Sequence, residues 1–414
     1  MFRYVLIMAA VMPLSAETAD YYLKLALENN ARLAAERALS VAAGADHRRE
    51  SVFNDNPELM VGFMNVPVNS FPALNRDSMS NFSVGISQRI ALPWESHYRK
   101  TAAELRAQSS GINLEIQKSA LRFEVKERLN AIRFFEERSR NLADAKKLVT
   151  ATMRVLAVPR KESRNTAGQI LEARAALATI ENDILANGYE LERAWLELES
   201  LCGRALERNA TEILPQWALL PAELPAVAEG EIRRTFLYLK AESEVRATHA
   251  MLSLSRAALF PEVKVQAAYM FRQVVPGVSM GDDMVSVSAS TPLPLFYPLK
   301  NRHDIDGQEQ RVKAAEQLLS DTERQITAQL GAERAKFRAL VASVNNYAHA
   351  ILPAHISAHR SHLANINLMG GSAAEALIAY RMYLTAGEER LKQLREAHTA
   401  LHRIEYLTSH GEKQ

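Results

Sequence analysis

Apolar and polar positions along this chain follow two different periods. In 82–92 the even positions Phe82, Val84, Ile86, Ile90 and Leu92 are apolar, while the odd ones are Ser83, Gly85, Ser87, Arg89 and Ala91. A period of two predicts a strand with one apolar and one polar face. The stretch 58–66 alternates less cleanly, with Leu59, Val61 and Phe63 opposite Met60, Gly62 and Met64. Two later stretches, 262–271 and 284–296, repeat the pattern: Val263, Val265, Ala267, Tyr269 and Phe271 oppose Glu262, Lys264, Gln266 and Ala268, and Val285, Val287, Ala289 and Leu293 oppose Ser286, Ser288 and Ser290. Elsewhere the apolar spacing is three to four, which predicts helices over 17–55, 95–154, 166–207, 231–259, 304–365 and 372–407. The second of these keeps a heptad-like stripe over about eight heptads and would be on the order of 90 Å long.

The two periods recur in the same order. Pro57-Glu58-Leu59 returns as Pro261-Glu262-Val263 at an offset of 204, Ser83-Val84 and Ser87 as Ser286-Val287 and Ser290 at 203, and Leu171-Glu172-Ala173 as Leu377-Ile378-Ala379 at 206. Near-constant offsets at separate anchors predict a tandem repeat. Each repeat holds a helix, a strand pair and a long helical hairpin. Residues 17–207 would form the first and 231–414 the second, joined by a linker over 208–230 that carries Pro215, Pro221 and Pro225. The fold class expected is mainly α with a small β part.

Composition narrows the class. A net charge of +2, with 24% charged residues, lacks the basic excess of a nucleic-acid binder. No segment of the mature chain approaches the run of apolar residues that a spanning helix needs. Arg3, the apolar run Tyr4–Leu14 and the small pair Ser15-Ala16 predict an export signal over 1–16. Cys202 is the single cysteine, so an exported chain would hold no internal disulfide.

Four amphipathic strands of about 9–11 residues have the length a tilted strand needs to cross a bilayer. Only a closed barrel leaves no edge unpaired in lipid, and four strands are too few to close one. A shared barrel built by several chains satisfies both constraints. An antiparallel sheet covering the end of a helical bundle satisfies the periodicity alone.

The duplicated order resembles the TolC-type outer membrane efflux proteins. The resemblance is carried by Asn56-Pro57-Glu58-Leu59, Asn65-Val66-Pro67, Ser87-Gln88-Arg89-Ile90-Ala91-Leu92-Pro93, Ser290-Thr291-Pro292-Leu293-Pro294-Leu295-Phe296, and Gly371-Ser372 followed by Leu377-Ile378-Ala379. It covers essentially the whole mature chain. The Asn65-Val66-Pro67 strand exit leans toward the branch that serves heavy-metal efflux pumps. The resemblance implies a homotrimer whose twelve strands form one barrel in outer-membrane lipid, continued by a periplasmic α-helical barrel. It also implies two partners, a periplasmic adaptor protein and an inner-membrane pump of the RND type. Arg164, Asn165, Thr166 and Leu171, and Gly370, Gly371, Ser372 and Leu377, would lie at the two periplasmic tip turns where the adaptor docks. At the first turn Arg164-Asn165-Thr166 stands where the family has glycine. Loops 67–80 and 272–283 would be extracellular, and 208–230 equatorial. Ser83, Ser87, Arg89, Ser286, Ser288 and Ser290 would line the barrel lumen, with the Val, Ile and Phe faces toward lipid.

Candidate chemistry is sparse. No nucleophile elbow, phosphate-binding loop, His-Glu-x-x-His or paired-cysteine motif occurs, so no enzyme activity and no cofactor are expected. His355, His359 and His362 share one helical face, and His398 and His402 form an i, i+4 pair. Such spacing can hold a transition metal, but no carboxylate completes either set in sequence, and a solvated or interhelical face is the commoner reason for it. Met60, Met64, Met79, Met270, Met280 and Met284 fall in or beside the strands. Thioethers suit soft ions, although lipid-facing or packed methionine is the commoner role. Arg154, Arg160, Lys161 and Arg164 make the first tip basic, as either a solvated turn or a docking surface. The expected function is a passive outer-membrane exit duct for small molecules or metal ions. A type I protein-secretion duct is the alternative within that class, and a periplasmic coiled-coil adaptor or scaffold is the alternative outside it.

Overall fold

The computed structural model describes residues 19–52, 56–90, 92–156, 166–206, 208, 217, 219–221, 224, 229–257, 262–278, 281–292, 296–369 and 373–410. The export signal expected over 1–16 lies outside them. The elements in order are α1 (Ala19–Asn29), α2 (Ala31–Glu50), β1 (Glu58–Met64), β2 (Asn81–Ile90), α3 (Pro93–Leu156), α4 (Thr166–Cys202), α5 (Glu229–Ile232), α6 (Phe236–Ala257), β3 (Val263–Arg272), β4 (Met284–Ser290), α7 (Tyr297–Asn346), α8 (Leu352–Met369) and α9 (Ala373–Leu407). The chain forms two compact units: Met1–Glu36, Glu115–Phe236 and Glu323–Gln414 make the first, Arg37–Leu114 and Leu237–Thr322 the second.

Three departures from the periodic pattern have local causes. The helix expected over 17–55 is two helices, because Asn30 ends one and caps the next. Its Oδ1 accepts the Leu33 N–H at 3.1 Å, and its Nδ2 donates to the Leu201 carbonyl at 2.9 Å. The helix expected over 304–365 starts earlier, at Tyr297, and widens into a π turn over Tyr347–Ile351. There the Leu352 N–H bonds the Tyr347 carbonyl, five residues back. Pro353 follows at once and has no N–H to give, so the backbone must loosen beside it. α4 stops at Cys202 because Gly203 takes φ +68°, where a Cβ would lie 2.8 Å from the Asn29 carbonyl oxygen.

The first unit is a helical bundle. Ala145, Val149, Ala176, Ile180 and Tyr380 pack α3, α4 and α9 together, and Ala173, Ala376 and Leu377 close the hairpin ends. Alanine at these contacts lets the helices approach closely. Buried asparagines fix their register. Asn187 donates to the Phe135 carbonyl at 2.9 Å and to Ser139 Oγ at 2.7 Å, and Asn130 donates to the Arg395 carbonyl at 3.0 Å.

The second unit contains one antiparallel sheet of order β1-β2-β3-β4. Leu59 faces Ile86, Val61 faces Val84, and Phe63 faces Phe82; Phe82 in turn faces Phe271. Gly85 stands opposite Ala268, and a Cβ on it would come within 2.7 Å of the Ala267 carbonyl oxygen, so only glycine permits this approach.

Candidate functional site

The register sorts every strand residue onto one of two faces. Leu59, Val61, Phe63, Phe82, Val84, Ile86, Ile90, Val263, Val265, Tyr269, Phe271, Val285 and Val287 share one. The other carries Ser83, Ser87, Arg89, Ser286, Ser288 and Ser290, the residues expected to line a lumen. The apolar face stands open: Leu59 is 71% exposed, Ile86 56%, Val285 70% and Val287 72%, while on the other face Ser87 and Asn81 of β2 are buried and Ser288 and Ser290 of β4 are exposed. A sheet in water hides its apolar face. This one displays it.

Aromatic side chains gather at both ends of the apolar face. At the loop end, Phe63 packs on Phe82 with centroids 5.0 Å apart, Phe82 stacks on Phe271 at 6.0 Å, and Tyr269 contacts Phe271 at 4.7 Å. Beyond the other ends of β2 and β4 stand Trp94, 42% exposed, and Phe296, 79% exposed. Aromatic residues near the ends of an apolar band suit strands that cross a bilayer.

Charges collect where the strands approach the helices. Lys264 Nζ lies 2.8 Å from Glu58 Oε2, and Arg89 pairs with Glu262 and with Glu95 at 3.3 Å. Glu95 also meets Arg99 at 2.5 Å. At the opposite end, Asn65 adopts φ 57°, a left-handed conformation asparagine tolerates, and its carbonyl accepts Ser80 Oγ–H at 2.8 Å to close loop 65–80.

The methionines of the strands share one face. Met60, Met64, Met270 and Met284 occupy the polar face with the serines, not the apolar one. Alternation alone could have placed them there. Met79 is in the loop, and Met280 lies outside the described residues.

Of the tip residues, Arg164, Asn165, Gly370, Gly371 and Ser372 lie outside the described residues, as do Arg160 and Lys161. Thr166 opens α4. Leu171 is 63% exposed, but Leu377 is buried against Ala173 and Ala376. Leu171 and Leu377, which an offset of 206 pairs, therefore differ in burial. An offset of 203 restores the burial phase, pairing Ala173 with Ala376 and Ala176 with Ala379, all buried. It also sets Gly168 against Gly371, so the glycine expected at the first turn stands four residues past Arg164.

The histidines do not converge. His359 is buried, holds the Ala376 carbonyl at 2.9 Å and packs on Tyr380 at 5.1 Å. His362 lies 3.4 Å from Glu375, and His355 lines a separate groove of about 600 Å³ with Arg381 and Glu389. Among the described residues, no group of three His, Cys, Asp or Glu could hold a metal ion. Carboxylates do meet these histidines through the fold, contrary to the sequence spacing. His402 Nδ1 lies 2.8 Å from Glu127.

That last contact belongs to a buried network the sequence did not disclose. Trp217 Nε1 donates to Asn130 Oδ1 at 2.8 Å, its ring stacks on His398 at 5.8 Å, and its carbonyl accepts from His398 Nε2 at 2.7 Å. Thr399 donates to Glu127 at 2.7 Å. Leu220 packs beside Trp217, and the Leu224 carbonyl accepts from Arg334 at 3.0 Å, so the described parts of 208–230 are pinned to α3, α7 and α9. A lone tryptophan in a proline-rich stretch was the only available signal. Burial holds His398 below its ordinary value; for Glu127 burial pushes upward, but the hydrogen bonds from His402 and Thr399 outweigh it and hold the carboxyl low.

The fold is that of outer membrane channels with a small sheet and long helices. Among solved structures, the open state of the MtrE outer membrane channel of Neisseria gonorrhoeae superposes with a TM-score of 0.79, at 18% identity over 94% of this chain and 88% of that one. The VceC outer membrane protein of Vibrio cholerae gives 0.77 at 14% identity, over 95% and 96%. CusC, described through its transmembrane channel formation, gives 0.77 at 16%, over 95% and 92%. No protein-family model and no curated protein matches the sequence.

Proposed function

We propose that the chain is the outer-membrane exit duct of a tripartite efflux system, a passive channel rather than an enzyme. The exposed apolar face of the four-stranded sheet carries this reading. Exposed Leu59, Val61, Ile86, Val285 and Val287 need an apolar solvent, and lipid supplies one. Among the described residues β1 pairs only with β2, and β4 only with β3. Those open edges call for further copies, and three chains would close a twelve-stranded barrel in outer-membrane lipid. The serine face would then line the lumen. The element order would express a tandem duplication, and the helical part would stand in the periplasm. The turns before Thr166 and before Ala373 would meet a periplasmic adaptor joined to an inner-membrane pump, with the RND type as the first candidate. The fold shared with MtrE, VceC and CusC supports the duct over an adaptor or scaffold.

The test expresses the full chain in a Gram-negative host. A trimer in the outer-membrane fraction, dissociating only on heating, is expected; a soluble periplasmic monomer would sink the reading. Sensitivity of a deletion strain to metal ions but not dyes would favour metal cargo over drugs, and loss of a secreted protein would favour type I secretion.

A further inference from the structure

Loop 65–80 holds one apolar side chain in and puts two out. Leu74 is buried, whereas Val68 is 96% exposed and Phe71 62%. The loop has a defined shape, so the display is a property of its fold. Ser80 Oγ donates to the Asn65 carbonyl at 2.8 Å across its ends, and Asp77 Oδ1 accepts the Met79 N–H at 2.7 Å inside it. A single 3-10 turn over Val68–Ser70 leads into Phe71. Such compact loops carry specific surfaces rather than slack chain.

The position of Phe71 tells which surroundings it meets. Its ring stands edge-on to Phe63 with centroids 5.3 Å apart, and Phe63 packs on Phe82 at 5.0 Å. Phe63 and Phe82 are direct partners across β1 and β2, on the exposed apolar face and not on the serine face. The loop therefore folds back over the apolar side of the sheet. Phe71 extends the row Leu59, Val61, Phe63 by one more ring, past the end of the strand.

We propose that loop 65–80 seats in the outer leaflet of the membrane, with Phe71 entering the edge of the hydrocarbon beside Phe63. The proposal rests on the duct reading and deepens it, turning a loop expected in the external medium into a lipid anchor. β1 runs away from the helical part into this loop, so the leaflet it meets is the outer one. Apolar surface continuous with a lipid-facing band gains by leaving water with that band. Held on the lipid side, the loop stays off the lumen axis and leaves the mouth of the duct clear. A second copy paired along the open edge of β1 would cover Phe71 instead, and the experiment separates the two.

The experiment attaches a nitroxide to Phe71→Cys in the full-length protein in phosphatidylcholine liposomes. Cys202 has no exposure, so the introduced thiol takes the label. Collision with oxygen, which concentrates in hydrocarbon, is compared with collision with a water-soluble nickel chelate. Val287→Cys supplies the lipid reference, and Asn75→Cys, exposed in the same loop, the water reference. The oxygen-to-nickel ratio at 71 should exceed that at 75 severalfold and approach that at 287. A ratio at 71 equal to that at 75 would overturn the anchor and leave the duct standing. So would a label shielded from both reagents, which marks a second copy. A water-like ratio at 287 would break the duct reading and this inference with it. Should Phe71→Cys fail to insert, Phe71→Trp keeps an aromatic ring and gives a second readout. In liposomes with brominated acyl chains its fluorescence should be quenched beyond the wild-type tryptophan signal, and an unquenched increment overturns the anchor.

Discussion

The sheet and the helical bundle solve opposite problems with the same residue types. In the bundle, Val149, Ile180 and Leu394 are buried, and the amide nitrogens of Asn130 and Asn187 are hydrogen-bonded inside. In the sheet, Val61, Val285 and Val287 are displayed, and the inner residues of the central strand are Ser87 and Asn81. Identical alternation or periodicity can therefore mean either solvent. Only the sign of burial tells which.

The largest test of that contrast puts one charge on either side of β4. Val287→Arg on the apolar face should cost about 2–4 kcal/mol of folding in lipid, the range for a cation at mid-bilayer depth. Ser288→Arg, one residue on and facing the other way, should cost far less. Were the sheet a water-exposed cap, both would fall within about 0.5 kcal/mol, as ordinary surface changes do. Urea titration of the protein refolded into liposomes reads the difference, and equal effects would break the comparison.

Strand faces were legible because period two leaves no freedom: once Phe82, Val84 and Ile86 share a side, Ser83, Gly85 and Ser87 take the other. The methionines were legible by the same parity, since Met60 and Met64 alternate with Leu59, Val61 and Phe63. What stayed hidden depends on partners distant in sequence. Nothing local in Trp217 announces Asn130 or His398. The face shared by His355, His359 and His362 is real on a helical wheel, but neighbouring helices give each a separate contact. At the hairpin ends, identity and packing select different offsets for a related reason. Identity favours Leu171 with Leu377, whereas packing needs Ala173 with Ala376, and packing decides which residue faces inward. The π turn had a visible signal, Pro353, inside a stretch whose apolar spacing otherwise runs on.

A second test works on the bundle side. Trp217→Phe retains most of the ring's packing but removes the donor to Asn130 Oδ1, a residue with no exposure. Leaving a buried acceptor unpaired costs about 1–3 kcal/mol. The described parts of 208–230 should loosen, read as faster trypsin cleavage at Arg208 in the full-length protein, with the sheet unaffected. Cleavage unchanged from wild type would mean that Leu220 and Leu224 alone hold the segment.

The smallest expected effect is on acid sensitivity, and it separates the two regions by chemistry. His398 is held below its ordinary 6.5 chiefly by burial and further by His402, against the opposing pull of the Trp217 carbonyl and the charges of Glu127 and Glu405. Just below pH 6.5 the unfolded chain therefore binds a proton that the folded chain refuses, and stability falls as pH drops through that window. Glu127 acts lower down. Its folded value is under the ordinary 4.5, so its contribution is present above that pH and disappears as pH falls through the folded value. Denaturant unfolding of the full-length protein, followed by tryptophan fluorescence, should show two successive losses on acidification. His398→Gln can still donate to the Trp217 carbonyl but cannot titrate, so it should remove the first loss and leave the second. A first loss that survives the substitution would place the proton elsewhere. Persistence of the proposed trimer through both steps would show that acid loosens the bundle without touching the sheet.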